Sequence, residues 1–127
     1  YLVVRGLGMT QLNQEKCVAC RRDSPPVERE ELAELHAQVS DWDLISEDGI
    51  SKLDRVFKFN NFQHALDFTN EVGSLAESEG HHPRLTTEWG RVAVTWWTHK
   101  IRNLHRNDFV MAAKSDQIYR DLVADDT

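Results

Sequence analysis

Hydrophobic residues recur at helical spacing in three stretches of the chain, and at alternate positions between those stretches. The first helical stretch begins with Ser24 and two prolines, a common start of a helix, and continues to about Val39. The second follows Asn60 or Asn61, either of which can cap it, and ends at Gly80, where a left-handed conformation would stop a helix. The residues that share one face are Leu32, Leu35, His36 and Val39 in the first helix, and Phe62, Ala65, Leu66, Thr69, Val72 and Ala76 in the second.

The chain between these two helices has the pattern of a β-hairpin. Residues 42–46 form a short predicted strand, Asp48-Gly49 is a strong hairpin-turn signal, and residues 50–59 form the return strand. Hydrophobic residues of the return strand fall on both of its faces, which predicts either a bulge or a two-sided strand. They are Leu53, Phe57 and Phe59 on one face, and Ile50 and Val56 on the other.

A second hairpin is predicted after Pro83. Residues 85–89 alternate as a strand does, Gly90 allows a turn, and a last strand covers Arg91 to Thr98. The faces of this last strand are predicted to carry Val92, Val94, Trp96 and Thr98 on one side, and Ala93, Thr95, Trp97 and His99 on the other.

The third helix is predicted to be capped by Asn107 or Asp108, with Met111, Ser115, Ile118 and Leu122 along one stripe. The resulting order, α-β-β-α-β-β-α, indicates an α+β domain in which three helices cover one face of a four-stranded antiparallel sheet. We assign residues 1–22 to a flexible lead-in and residues 23–127 to this domain. The two open sheet edges favour pairing with another copy, and therefore a homodimer or homotetramer.

Composition excludes several classes of function. The net charge of −6 argues against direct binding of nucleic acid, which needs a basic surface. No run of 18 apolar residues is present, so no membrane-spanning helix is expected. Residues 1–8 lack the features of a secretory signal, and Met9 is interpreted as the natural start. With only two cysteines, the expected location is the cytoplasm.

Cys17 and Cys20 form a CxxC pair in the lead-in. A zinc site needs four ligands, and neither a second CxxC nor a suitably spaced histidine pair follows. A redox CxxC normally opens a helix after a strand, which is not the pattern here. We interpret the pair as structural or incidental, with a metal shared with a histidine or another chain, and redox chemistry, as the alternatives.

The most informative chemistry lies at His81 and His82, which are held between a glycine and Pro83. A third histidine, His99, follows the last strand on the same face as Trp97 and could be brought back beside them. Imidazoles titrate near neutral pH, so such a group could move protons on a flat heteroaromatic ligand. Adjacent histidines point apart in an extended chain, which disfavours a shared metal ion. Proton transfer, metal binding and a structural role all stay open at this point.

The chain resembles the pterin-4a-carbinolamine dehydratases. The resemblance rests on an ordered motif, namely Glu77, three residues, His81-His82-Pro83, five residues, Trp89, nine residues, His99, eight residues and Asp108. It extends from about Cys17 to Tyr119, and Trp42 matches a tryptophan that begins the first strand in the family.

This resemblance implies an enzyme that removes water from 4a-hydroxytetrahydropterin, the form of the cofactor that aromatic amino-acid hydroxylases release. The product is quinonoid dihydropterin, and the reaction uses no metal or bound cofactor. The resemblance also implies a functional link to phenylalanine hydroxylase. His81 and His99 are expected to transfer protons, and His82 to position the substrate and support the acid–base chemistry.

The other positions that the resemblance assigns to the pterin site are Glu77, Pro83, Trp89, Trp42 and Arg106. Asp108 is interpreted as a helix cap of the structural motif. Some members carry arginine immediately before this aspartate, where the present chain has Asn107. The alternatives in function are a non-enzymatic dimerisation module for transcriptional coactivation and a pterin-handling role in molybdenum-cofactor metabolism.

Overall fold

The computed structural model describes residues 11–18 and 24–124. The lead-in residues 1–10, Cys20 of the CxxC pair and the acidic tail from residue 125 lie outside the described residues. The elements are α1 (Arg29–Gln38), β1 (Asp43–Glu47), β2 (Ile50–Lys58), α2 (Phe62–Glu79), β3 (Arg84–Glu88), β4 (Arg91–Trp96) and α3 (Arg106–Ala124), with a short 3-10 helix at Leu12–Gln14 before them.

The four strands form one antiparallel sheet in the order β1-β2-β4-β3. Each hairpin pairs its own two strands, and the pairing of β2 with β4 joins the hairpins. The predicted α+β class and the order α-β-β-α-β-β-α are confirmed. Strands β1 and β3 are the two edges of the sheet, and β3 begins two residues after His82.

The hydrophobic core lies between the sheet and the helices. Alternate residues of β2 and β4 enter it, because successive side chains of a strand point to opposite faces. The buried core residues include Leu53, Phe57, Val92, Val94 and Trp96 from the sheet, and Ala65, Phe68, Val72, Phe109 and Met111 from the helices. The pairing of β2 with both neighbours is continuous, so the two-sided strand is correct and the bulge is not.

The ends of α2 follow their sequence signals. The side chain of Asn61 accepts a hydrogen bond from the His64 backbone N–H at 2.8 Å, which satisfies one donor of the first turn. Gly80 ends the helix with φ of 64°, the left-handed conformation that glycine adopts without strain. Both predicted ends of this helix are confirmed.

The starts of α1 and α3 were predicted wrongly. α1 begins at Arg29 rather than beside Ser24. The two prolines disfavour helical backbone at the residues before them, and the N–H of Val27 bonds to the carbonyl of Leu104 instead. α3 begins at Arg106, ahead of both predicted caps.

Residues 11–18 of the predicted lead-in lie against the domain. Leu12 is buried in the core. Asn13 bonds to α3 twice, since its amide donates to the Gln117 side chain and its carbonyl accepts from Lys114. The proposed boundary between lead-in and domain therefore does not separate these residues from the fold. No helix among the described residues is long and apolar enough to cross a membrane.

Candidate active site

The end of α2 places the two adjacent histidines. After the left-handed Gly80, the backbone N–H of His81 bonds back to the carbonyl of Ala76 and closes the helix. His81 turns inward and is 7% exposed, whereas His82 points outward and is exposed. The opposite orientations follow from the extended chain that leads into β3.

The end of β4 brings the third histidine back to the same place. The strand ends at Trp96, two residues earlier than predicted, and Thr98 forms an isolated antiparallel bridge with Asn103. The alternation continues past the strand, so Thr98 is buried while His99 is exposed. The rings of His99 and Trp97 are in contact at a centroid distance of 4.4 Å with their planes tilted by 32°, as their shared face predicted.

A buried carboxylate organises the inner part of the site. Asp108 is fully buried and accepts three hydrogen bonds, from His81 Nε2 at 2.6 Å, from the Thr98 hydroxyl at 2.8 Å and from the His105 backbone N–H at 2.9 Å. Because an ionised carboxylate only accepts, the Nε2 of His81 carries the proton and its Nδ1 is left as an acceptor when the ring is neutral. The His81 ring also stacks on Trp96, with the planes 8° apart.

A second histidine–carboxylate pair lies at the surface. His82 Nε2 and Glu77 Oε1 are 2.8 Å apart, and both side chains are mostly exposed. Glu77 precedes the Gly80 turn on α2, so the turn folds His82 back over the last turn of the helix. Glu77, which the resemblance assigned to the pterin site, is thus bonded to His82.

These groups surround a cavity of about 560 Å³. Its walls come from three segments of the chain, namely the end of α2, the turn after β4 and the N-terminal segment. The lining residues are Glu79, Gly80, His81 and His82 from the first, Thr98, His99 and Lys100 from the second, and Cys17 and Val18 from the third. All three histidines predicted to be catalytic therefore line one cavity.

His105 is a further buried histidine beside this site, and the sequence motif does not include it. Its Nδ1 accepts a hydrogen bond from the Asn107 backbone N–H, while Asp108 accepts from the His105 N–H, so the pair caps the start of α3 reciprocally. Burial lowers the pKa of His105, against the opposing charge of Asp108. Asp108 is thus part of the helix cap, but from inside the helix rather than as the predicted capping residue ahead of it, and with His81 as an additional partner.

Comparison with known proteins identifies the family of the chain. The family described as pterin 4 alpha carbinolamine dehydratase matches residues 25–118. The chain belongs to this family. It is 56% identical over 112 residues to a protein of Nitrosococcus oceani that is provisionally named pterin-4-alpha-carbinolamine dehydratase, and the match covers 88% of this chain and 99% of the relative. The activity of this family member is accordingly the dehydration of pterin-4a-carbinolamine, a hydro-lyase reaction.

Solved structures support the same fold. A crystal structure from Brucella melitensis, described as a transcriptional coactivator/pterin dehydratase, has a TM-score of 0.67 at 30% identity and covers 74% of this chain and 98% of its own. A pterin dehydratase-like protein described as a RuBisCO assembly factor in the alpha-carboxysome has a TM-score of 0.54 at 19% identity, covering 62% and 89%. At that identity the second likeness concerns the fold alone.

None of the five residues assigned to the pterin site is among those that line the cavity of this dehydratase. Glu77 is adjacent to it through its bond to His82, and three others are engaged elsewhere. Trp42 is wholly buried and its indole N–H donates to Asp116, so it is a core residue. Trp89 is 71% exposed in the β3–β4 turn, at the other end of the hairpin from the histidines and roughly 17 Å along the strand. Arg106 forms a bidentate ion pair with Glu15. Pro83 is not a lining residue itself, but it follows His82, which is one.

A partly buried ion pair beside Trp42 belongs to the fold and not to the cavity lined by the histidines. Arg55 lies 2.6 Å from Asp116 Oδ1, which also accepts the bond from the Trp42 indole. Burial raises the pKa of Asp116, although the hydrogen bond from Trp42 and the charge of Arg55 act in the opposite direction. Among residues 11–18 and 24–124, no group of three histidine, cysteine, aspartate or glutamate side chains is arranged to hold a metal ion.

Proposed function

We propose that the three histidines of the cavity dehydrate 4a-hydroxytetrahydropterin to quinonoid dihydropterin by acid–base catalysis. The bond between carbon 4a and its hydroxyl breaks, and the hydroxyl takes a proton from His99 and leaves as water. The proton on N5 of the pterin passes to His81, and its bonding electrons form the new double bond between N5 and carbon 4a. One proton is given and one accepted, so the step balances without a further reactant.

The pairing of His81 with Asp108 supports its role as the base. The carboxylate fixes the tautomer in which Nε2 carries the proton, leaving Nδ1 able to accept another. Once His81 is protonated, the buried negative charge of Asp108 stabilises the imidazolium. A histidine oriented by a buried aspartate serves as general base in other enzymes for the same reason.

The exposure of His99 supports its role as the acid. Its ring lies at the cavity wall, in tilted contact with Trp97, and is open to solvent. A proton given to the departing hydroxyl can therefore be replaced from water. His82, bonded to Glu77, is suited to hold and orient the pterin and to assist the proton transfers.

We further propose that no metal or resident cofactor takes part, since imidazoles can supply both proton transfers near neutral pH. The pterin is then the substrate. The observation that carries the proposal is the convergence of His81, His82 and His99 on one cavity, with Asp108 behind His81.

The test follows carbinolamine dehydration at neutral pH in single alanine variants of the three histidines. His81→Ala and His99→Ala are each expected to lower kcat by ~10²–10⁴, the usual contribution of a general acid or base. Their double variant should lose less than the product of the two single effects, because the residues act as a unit. His64→Gln, near the other end of α2, is the matched control and should keep full activity. A well-folded His99→Ala enzyme with unchanged kcat would refute the assignment, and loss of activity with EDTA would move it to metal catalysis.

We also propose a homodimer or homotetramer, because β1 and β3 leave two sheet edges without a partner strand among the described residues of this chain. A monomer mass by light scattering at micromolar concentration would contradict this. In the cell, the proposed site of action is the cytoplasm, beside an aromatic amino-acid hydroxylase such as phenylalanine hydroxylase that supplies the carbinolamine. Adding the enzyme to a hydroxylase reaction should then speed cofactor recycling.

A further inference from the structure

The wall of the cavity that the N-terminal segment forms contains no residue assigned to the proton transfers. It consists of Cys17 and Val18, which come from the N-terminal segment rather than from the histidine-bearing loops. Val18 is the branched aliphatic residue among lining groups that are otherwise mostly polar or titratable, and it is 62% exposed. An exposed aliphatic residue at the edge of a polar cavity offers a surface for the flat face of a heteroaromatic ring.

Asn107 holds this wall in place through both ends of its amide. Its Oδ1 accepts the Val18 backbone N–H at 3.0 Å, and its Nδ2 donates to the Val18 carbonyl at 2.7 Å. The Asn107 residue itself is only 3% exposed. Next to it, the Cys17 backbone N–H donates to Glu79 Oε1 at 2.7 Å. The backbone of Cys17 and Val18 is therefore fixed by three hydrogen bonds, two to Asn107 of α3 and one to Glu79 of α2.

The rest of the segment leads to this position along α3. Lys114 donates to the Asn13 carbonyl at 3.1 Å, and Arg106 binds Glu15 with distances of 2.7 and 2.9 Å. As the segment advances, its partners move towards the start of α3, so it runs antiparallel to the helix and reaches the cavity at Cys17 and Val18. This explains why Arg106 does not face the cavity: it anchors the segment that forms the wall.

We propose that Val18 is a specificity-determining residue of the pterin site and that Asn107 is the positioning residue that holds it there. The inference rests on the proposed function. The contact between Val18 and the ring does not involve the atoms at which bonds change, so it stabilises the bound substrate and the transition state alike. Such uniform binding affects KM and leaves kcat unaltered.

The experiment measures KM and kcat for the carbinolamine in Val18→Ala, Asn107→Leu and the double variant. Asn107→Leu removes both amide bonds at nearly constant volume. Each single variant is expected to raise KM by roughly tenfold, the usual effect of a lost apolar contact, with kcat within about twofold of the unmodified enzyme. The double variant should match Asn107→Leu alone, because Val18 has already lost its position. The control, Lys114→Met, releases the segment at its far end and should leave KM unchanged.

Unchanged KM in both Val18→Ala and Asn107→Leu, in an active enzyme, would overturn the inference. A fall in kcat equal to the rise in KM would overturn it as well. If the unmodified protein does not dehydrate the carbinolamine, the proposed function is wrong, and titration calorimetry with 7,8-dihydrobiopterin then decides the inference separately. A roughly tenfold weaker Kd in Val18→Ala supports it, whereas an equal Kd, or no binding by the unmodified protein, overturns it.

Discussion

Replacing Asp108 should separate its contribution to catalysis from its contribution to folding. In Asp108→Ala, three buried or partly buried donors lose their acceptor, namely His81 Nε2, the Thr98 hydroxyl and the His105 backbone N–H. An unsatisfied buried donor costs about 1–3 kcal/mol, and the hydroxyl can rotate towards another acceptor, so we expect a loss of about 3–5 kcal/mol. For a domain of this size, 1 kcal/mol corresponds to roughly 4 °C in Tm, which predicts a fall of about 10–20 °C.

Asp108→Asn is the more informative variant. Its amide oxygen can still accept from Thr98 and from the His105 N–H, so the predicted loss of stability is only about 1–2 kcal/mol. Its amide nitrogen, however, would face His81 Nε2 and donate to it, which forces the proton of the neutral ring onto Nδ1. His81 could then no longer act as the base, and kcat should fall by ~10²–10⁴.

The assays are calorimetric unfolding and carbinolamine dehydration, both at neutral pH. Thr98→Val is the matched control, because it removes one hydrogen bond to Asp108 while the charge and the bond to His81 remain. It should lose about 1 kcal/mol of stability and keep kcat within a few-fold of the unmodified enzyme. A folded Asp108→Asn enzyme with kcat within threefold of the unmodified enzyme would show that Asp108 is only a structural residue.

Three further predictions concern pH, backbone strain and capping. The pKa of His105 is lowered in the folded state, so the unfolded chain binds a proton more readily and the stability of the fold should fall as pH is lowered below about 6.5. His105→Asn, which can still cap α3, should flatten the dependence of Tm on pH between about 7 and 5. An unchanged slope of Tm against pH would contradict this. Gly80→Ala should lower the free energy of unfolding by about 1–2 kcal/mol, because a residue with a Cβ is strained at φ of 64°. The added Cβ meets no atom within 4 Å, so backbone strain alone acts. A Tm unchanged within 2 °C would contradict this prediction. Asn61→Ala should cost about 1 kcal/mol by loss of the α2 cap, with unaltered kcat, measured by denaturant unfolding and the dehydration assay.

The helices and strands follow mainly from local signals in the sequence. Asn61 and Gly80 bound α2 because a side-chain cap and a left-handed glycine act within one or two turns of the chain. Asp48-Gly49 defines the first hairpin in the same way, with φ of 54° and 76°. The alternation of side chains along β4 is enough to place His99 on the same face as Trp97. The histidine motif pointed to the family that the comparisons then showed.

Tertiary structure decided which of these residues meet. His81, Thr98, His105 and Asp108 are brought together by the ends of different elements, and no local pattern states that one buried carboxylate serves the other three. The start of α3 was predicted wrongly because His105 is not a usual capping residue, and only its burial beside Asp108 makes it one.

Packing also explains why some residues that the resemblance grouped with the histidines do not share the cavity with them. Trp42 packs into the core because Asp116, 74 residues further along the chain, accepts its indole N–H there. Trp89 lies at the far end of a hairpin whose length alone removes it from His82. Conversely, Val18 joins the cavity through side-chain bonds to a residue 89 positions away, and such contacts depend on the packing of the whole chain rather than on spacing. The sequence thus determined the elements and the chemistry at their ends, while the packing of those ends decided the composition of the site.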